Sequence, residues 1–381
     1  MKDLLVTISF LLCIAFLGCD AQQRFSYQQL PASYVSNMQL ASLEKEVDAI
    51  AAKAFDLTTV LPRGYSKEGK IDYTAQLQEG INRHTNVVFP DFPVMINDNG
   101  LTLKSNSFVV FRTHSALILK PTAKRNFFMM AIHDVENVKV YCPVLIGDRK
   151  NHLDAGGEWG MGISIRGAAN ITVFHPVISS CWGDGIYIGQ SPTTKKIPFN
   201  ITINNAVLDN NRRNGISVIA VNGLKLIHPV VSNTNGTPPM SGIDVEPNDS
   251  SALVDNILMD HPVTFNNGKY GIVIGLDRLP STSARGVNIS INNHLDDGSA
   301  TAFWLGGSKD VYKKGTLPLR GSIQVTDPVW KNNATPFKGY KTYDFAPVSK
   351  FTNITVEKKG SRNEVQKIKL QHGNKKNLEI D

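Results

Sequence analysis

Cysteine is scarce. There are four in 381 residues, and two of them, Cys13 and Cys19, lie within the first nineteen. The other two, Cys142 and Cys181, cannot staple a chain of this length, so a disulfide scaffold is excluded. They also fall at different positions of the repeat described below, so no bond between them is expected. Glycine (30) and proline (19) are too few for a collagen-like or wholly disordered chain. Charged residues make up only 19% against 41% hydrophobic, a globular balance. The net charge of +7 hints at an acidic partner, but the tail 357–381 carries seven Lys/Arg and four acids. A chain-wide basic patch is therefore missing, and no nucleic-acid partner is predicted. Long apolar runs are missing too: after residue 17 no segment approaches the ~18 consecutive apolar residues of a membrane span.

The N-terminus does carry one apolar run. Lys2 precedes Leu4–Leu17, which is too short to remain as a bilayer-spanning helix. It ends in Phe16-Leu17-Gly18-Cys19, which resembles the lipobox of bacterial lipoproteins. The resemblance implies a lipoprotein signal peptide at 1–18 and acylation of Cys19. The expected location is then the bacterial cell envelope, with a lipid anchor as the only membrane attachment; ordinary secretion is the alternative.

From residue 138 one phrase returns seven times. It begins as Val138-Lys-Val-Tyr-Cys-Pro143-Val and Ile171-Thr-Val-Phe-His-Pro176-Val, and continues to Ile323-Gln-Val-Thr-Asp-Pro328-Val. Successive sixth positions are 33, 30, 23, 33, 32 and 34 residues apart. Between these phrases lies a second: Gly162-Ile-Ser-Ile, Gly185-Ile-Tyr-Ile, Gly215-Ile-Ser-Val, Gly242-Ile-Asp-Val, Gly271-Ile-Val-Ile and a drifted Ala302-Phe-Trp-Leu. Each unit holds short β segments with period-2 alternation and Asn/Gly/Pro turns. No amphipathic helix fits inside a unit, and a propeller blade needs roughly 40 residues or more. The prediction is an all-β solenoid, a single-stranded right-handed parallel β-helix, with Ile163, Ile186, Ile216, Ile243 and Ile272 stacked in one inward column.

Helix formers with apolar spacing at Met38–Phe55 and Tyr73–Ile81 predict a short helical N-terminal cap over the open β edge. The expected organisation is tether and cap at 19–100, coils at 101–345, and a polar basic tail at 346–381. His175, His228 and His261 share a column with Cys142, Asn205, Asn293 and Asp327, which reads as a turn ladder rather than a metal site. Asn-Ile-Thr/Ser triplets at 170, 200, 288 and 353 read as strand starts.

The stretch Asp72-Tyr-Thr-Ala-Gln-Leu-Gln-Glu-Gly-Ile81, followed by Val-Val-Phe-Pro90 and Gly100-Leu-Thr-Leu-Lys-Ser-Asn106, resembles the start of the pectate-lyase-like superfamily. That group includes polygalacturonases, polysaccharide lyases, alginate epimerases and tailspike depolymerases. The resemblance implies a polysaccharide substrate and leaves the reaction open. The polygalacturonase set of Asn-Thr-Asp, Asp-Asp, Gly-His-Gly and Arg-x-Lys is not present in order; Gly183-Asp184-Gly185 is its nearest echo.

Alternation turns the second and fourth residues after each repeat glycine outward. The first column reads Ser164, Tyr187, Ser217, Asp244, Val273, Trp304; the second reads Arg166, Gly189, Ile219, Glu246, Gly275, Gly306. Asp244 and Glu246 thus form an outward pair on one strand, where like charges are costly without a cation or substrate. Trp159, Trp182 and Arg212 each lie three residues before their glycine and are expected to stack on consecutive coils, with Asp184 and Arg213 beside them. A long polar excursion, Gly147–Glu158, brings Arg149, His152 and Glu158 to the same edge. Carboxylate pairs supply acid and base, arginines clamp anions and aromatic rings stack on sugars. Candidate catalytic residues are therefore Asp184, Asp244, Glu246, Arg212 and Arg213. Candidate substrate-binding residues are Arg149, His152, Glu158, Trp159, Trp182 and Tyr187.

Three functions fit this face. The first is glycoside hydrolysis by paired carboxylates, with no cofactor. The second is a polysaccharide lyase or uronate epimerase, with Ca²⁺ held by the acids and Arg212, Arg213 or His152 as base. The third is a non-catalytic glycan-binding surface lipoprotein.

Overall fold

The computed structural model describes residues 25–35, 41–309, 311–358, 360 and 363–381. The expected signal peptide and Cys19 lie outside the described residues.

Three parallel sheets of twelve, nine and ten strands wind along one axis, giving a parallel β-helix of about ten turns. The repeat phrases supply the strands. The first phrase runs along the twelve-stranded sheet, as in Ala169–Phe174 and Phe199–Asn204, and its Pro-Val end opens the ten-stranded sheet, as in Val177–Ser179. The glycine phrase runs along the nine-stranded sheet. Ile163, Ile186, Ile216, Ile243 and Ile272 pair in register from coil to coil and Phe303 continues the row, all of them fully buried. Each buried Ile is worth roughly 1.5–3 kcal/mol relative to leaving it in water.

The corners explain the punctuation. Cys142, His175, Asn205, His228, His261, Asn293 and Asp327 all take φ of 45–55°, so the column is a left-handed turn ladder. Asn137, Asn170 and Asn200 repeat this conformation where the twelve-stranded sheet begins, and their side-chain amides bond from coil to coil at 2.9–3.1 Å. Asn is one of the few non-glycine residues that tolerates this region, because its short amide bonds locally. Cys142 and Cys181 are thiols rather than a disulfide.

Strand pairing reaches beyond 101–345 at both ends. It starts at Phe55–Asp56 and finishes at Leu378–Ile380, which pairs with Val348–Thr352. The N-terminal region supplies helices α1 (Ala41–Ala51) and α2 (Thr74–Arg83). Gln78 on α2 accepts from the Thr102 N–H at 2.8 Å and donates to its carbonyl at 3.0 Å. Leu101–Thr102 is the terminal strand of the nine-stranded sheet, so this amide occupies an otherwise open edge. The basic C-terminal region also folds: α3 (Glu364–His372) buries Ile368 and His372 against the coils. Residues 26–34 form a strap across the ten-stranded sheet. Ser26, Tyr27, Gln28 and Tyr34 bond to Asn266, Asp209, Asn233 and Asp297, which belong to four consecutive coils. No helix among the described residues is long and apolar enough to cross a membrane.

Candidate functional site

The outer face of the nine-stranded sheet gathers the acids. The repeat glycines face inward where coils crowd: a Cβ on Gly215 would lie 2.0 Å from Val231 Cγ1. Asp184 and Asn214, which precede Gly185 and Gly215, join a cluster built on Arg213. Its Nη1 donates to both Asp184 carboxylate oxygens, at 3.1 and 3.2 Å, and lies 3.4 Å from Ser217 Oγ. Its Nε is 3.6 Å from Glu158 Oε2. Asn214 links the next coil, donating its backbone N–H to Asp184 (3.1 Å) and its amide to Asp244 Oδ2 (3.0 Å).

Asp184, Asp244 and Glu158 act on one arginine, and burial is the largest influence on the two aspartates. Asp244 is only 1% exposed. Burial first, then the Glu246 and Asp184 charges, pushes its carboxyl up to about 8, against the opposing pull of Arg213 and Asn214. Burial also raises Asp184, yet Arg213 and the Asn214 N–H oppose it, and the ion-pair geometry makes it the anionic partner. For Arg213 burial disfavours charge, but Asp184 and Asp244 outweigh it and the net direction is up. Asp244 Oδ1 is buried without a hydrogen-bond partner among the described residues, consistent with a protonated oxygen. Glu246, immediately after the strand Ser241–Val245, is partly exposed. The expected Asp244/Glu246 pair is therefore present but unequal, one acid sealed and the other at the surface.

The expected Trp159–Trp182–Arg212 stack is only partly formed. Arg212 does lie over the Trp182 ring, at 3.8 Å, but the other side of that ring holds His152 at 3.9 Å. The loop Gly147–Glu158 folds His152 into the ladder position expected for Trp159, because Asp148 anchors the imidazole at 2.8 Å and Gly156 O accepts the Trp182 indole N–H. Trp182 therefore has no free face for a sugar. His152, with a fully buried side chain, has no access to substrate. Arg212 donates to Gly157 O, and Arg149 to Asn210 and to Asn235 O, so both arginines pin loops rather than present charge. Trp159 is 47% exposed instead, its indole N–H donating to Glu158. Tyr187 lies under the Arg166 guanidinium, 4.1 Å from the ring centroid.

Two groups at this face were missing from the sequence-derived set. His133 pairs with Arg166 on the neighbouring coil and, like Arg166, contacts Ser164 Oγ. Burial and Arg166 push its imidazole down to about 4, so it is neutral. Its strand Asn126–His133 lacks the repeat glycine; only alignment to Arg166 reveals it. Asn214, the bridge between Asp184 and Asp244, lay in view within Asn211-Arg-Arg-Asn214 without a side-chain signal of its own.

The oxygens here do not suit Ca²⁺, which takes six to eight oxygen ligands. Both Asp184 oxygens face Arg213 and one Asp244 oxygen accepts from Asn214. Two concavities of about 390 Å³ lie on other faces, one lined by Tyr34, His228 and His261 and one by the Asn106–Asn200 ladder. Neither contains the acid cluster. A long polymer needs an open strip rather than a closed cavity, so the chemistry decides the site.

No protein-family model matches the chain. Two uncharacterized proteins of Bacillus subtilis (strain 168) are similar in sequence. YclG is 23% identical over 214 residues, covering 48% of this chain and 36% of its own. The prophage-derived YorA is 27% identical over 165 residues, covering 39% and 28%. The match thus spans about a third of the length of these curated relatives. Among solved structures, an iota-carrageenase complexed to iota-carrageenan fragments superposes with a TM-score of 0.60 at 11% identity, covering 81% of this chain and 91% of that one. A galactohydrolase acting on a sulfated galactose–anhydrogalactose polymer gives 0.55 at 15%, covering 74% and 72%. The A-module of a mannuronan C-5 epimerase from Azotobacter vinelandii gives 0.52 at 14%, covering 80% and 96%. The shared feature is the fold, the right-handed parallel β-helix.

Proposed function

We propose that the chain is a carbohydrate-active enzyme that hydrolyses a polysaccharide laid along the outer face of the nine-stranded sheet. The observation that carries this reading is the placement of Asp244, a buried carboxyl whose pKa is pushed up by burial and by Glu246, on the same strand end as the partly exposed Glu246. Two carboxyl groups in unlike environments, one buried and one partly exposed, suit the separate acid and base or nucleophile roles of glycosidic cleavage. Once the side chains that cover it part for the substrate, Asp244 gives its proton to the glycosidic oxygen as the bond to the anomeric carbon breaks. The Glu246 carboxylate either takes a proton from the attacking water or attacks the anomeric carbon itself. Arg213 and Asn214 are positioning residues that hold Asp184 and Asp244 in place. Glu158, Trp159 and Tyr187 are the sequence-derived candidates left with surface to offer a sugar.

Elimination or C5 epimerisation ranks second, because both need the substrate carboxylate neutralised and Arg213 is already engaged by Asp184 and Glu158. The likeness to hydrolases and an epimerase of polysaccharides supports the substrate class. We place the protein in the cell envelope, tethered through an acylated Cys19.

The test is a screen of residues 20–381 on neutral and acidic polysaccharides, following reducing ends and the ultraviolet absorbance of unsaturated uronates, with and without chelator. Reducing ends that rise without absorbance, and a loss of about 10²–10⁴ in kcat for Asp244→Asn, are expected. Absorbance rising in parallel would replace hydrolysis by elimination. Unchanged turnover in Asp244→Asn would remove Asp244 as the acid.

A further inference from the structure

Downstream of the acids the same outward column changes character. Asp244 pairs with Val273, Val273 with Trp304, and Trp304 with Lys338. At about 4.8 Å per coil, Trp304 sits about 10 Å and Lys338 about 14 Å along the axis from Asp244. The Tyr270 and Trp304 rings stack at 5.2 Å, and the Lys338 ammonium lies 5.5 and 5.2 Å from their centroids. That ammonium is 3.3 Å from Tyr270 Oη and has no carboxylate partner among the described residues. The two positions that follow Glu246 in its row are Gly275 and Gly306, and a Cβ on Gly306 would press on the Gly275 backbone at 3.1 Å. A Cβ on Gly275 would meet nothing but Glu246 Cγ, at 3.6 Å. Gly275 is buried and Gly306 half-buried, so bare backbone reaches the surface at Gly306, beside the aromatic pair and a cation that no carboxylate meets among the described residues.

We propose that Tyr270, Trp304 and Lys338 form a subsite for an anionic sugar, a uronate or a sulfated hexose, whose ring lies over Gly306 beside the Tyr270/Trp304 platform. The proposal rests on the reading of Asp244 and Glu246 as the catalytic pair and adds the charge class of the substrate. The sugar's apolar edge packs against the rims of the rings, and its carboxylate or sulfate meets Lys338 in a charge-assisted contact. A neutral sugar would leave the ammonium without a partner.

Affinity electrophoresis of the purified 20–381 protein tests it, in gels cast with polyuronate, with sulfated galactan or with neutral β-glucan. Retardation by one of the two anionic polymers, and not by the neutral one, is expected, and which one retards distinguishes carboxylate from sulfate. Lys338→Gln should weaken that binding roughly tenfold or more, with Lys338→Arg largely restoring it. Equal retardation by neutral glucan, no retardation by any polymer, or full affinity in Lys338→Gln would overturn the subsite. Asp244→Asn separates the two readings: binding retained with turnover lost supports both. Turnover unaffected by Asp244→Asn in a protein whose anionic binding depends on Lys338 would leave the subsite standing and reject the catalytic assignment.

Discussion

Asp244 and Arg213 divide the work of one buried cluster. The Asp244 carboxyl has an ordinary value of 3.8 and is raised to about 8 in the fold, so the folded state holds its proton more tightly than the unfolded chain. Its contribution to stability is complete below about pH 4 and is lost as pH rises toward 8. Asp244→Asn keeps a neutral side chain at every pH. Its melting temperature should therefore fall less than that of the native protein between pH 5 and 8.5, a difference readable by calorimetry. Arg213→Met has the opposite character: it leaves the fully buried Asp184 side chain without its counter-charge. Removing one partner of a buried pair costs about 3–5 kcal/mol, which urea denaturation would measure. Conserving the charge with Lys would lose the spread of donors that reaches Asp184, Ser217 and Glu158 together.

At the scale of the coil, glycine has two different jobs. Gly215 is small because its Cβ would press on Val231 and on Gly242 O, inside a core that has no slack. At Gly275 an added Cβ would meet only Glu246 Cγ, at an ordinary 3.6 Å. Gly215→Ala should thus cost about 1–3 kcal/mol of unfolding free energy while Gly275→Ala costs little, compared in the same denaturant series. This distinction also explains what the sequence could reveal. Repeated Gly-Ile-x-Ile and Ile-x-Val-x-x-Pro-Val phrases expose the coil, the inward ladder and the outward columns, because one-coil periodicity is a local property. Asp184, Arg213, Asp244 and Glu246 could be placed on one face for the same reason. The Trp182 sandwich could not, because it depends on where the Gly147–Glu158 loop lands, and loops obey no period. Nor could the burial of Asp244 be read, since an outward position in a solenoid can still be covered by its neighbours' side chains.

Across the whole molecule, the ends matter as much as the coils. Gln78 closes one sheet edge, and α3 with Leu378–Ile380 covers the other end. Truncation after Glu357 would expose the Val348–Thr352 strand, and the expected outcome is concentration-dependent self-association seen by light scattering, with the central coils still folded by circular dichroism. The strap at residues 26–34 has a different consequence. In a stack where each turn touches only its neighbours, opening can begin at one end and travel turn by turn. A segment bonded to Asp209, Asn233, Asn266 and Asp297 at once must release several turns together before any one of them can leave. The strap therefore turns the middle of the array into a single cooperative block, and this block carries Asp244 and Glu246.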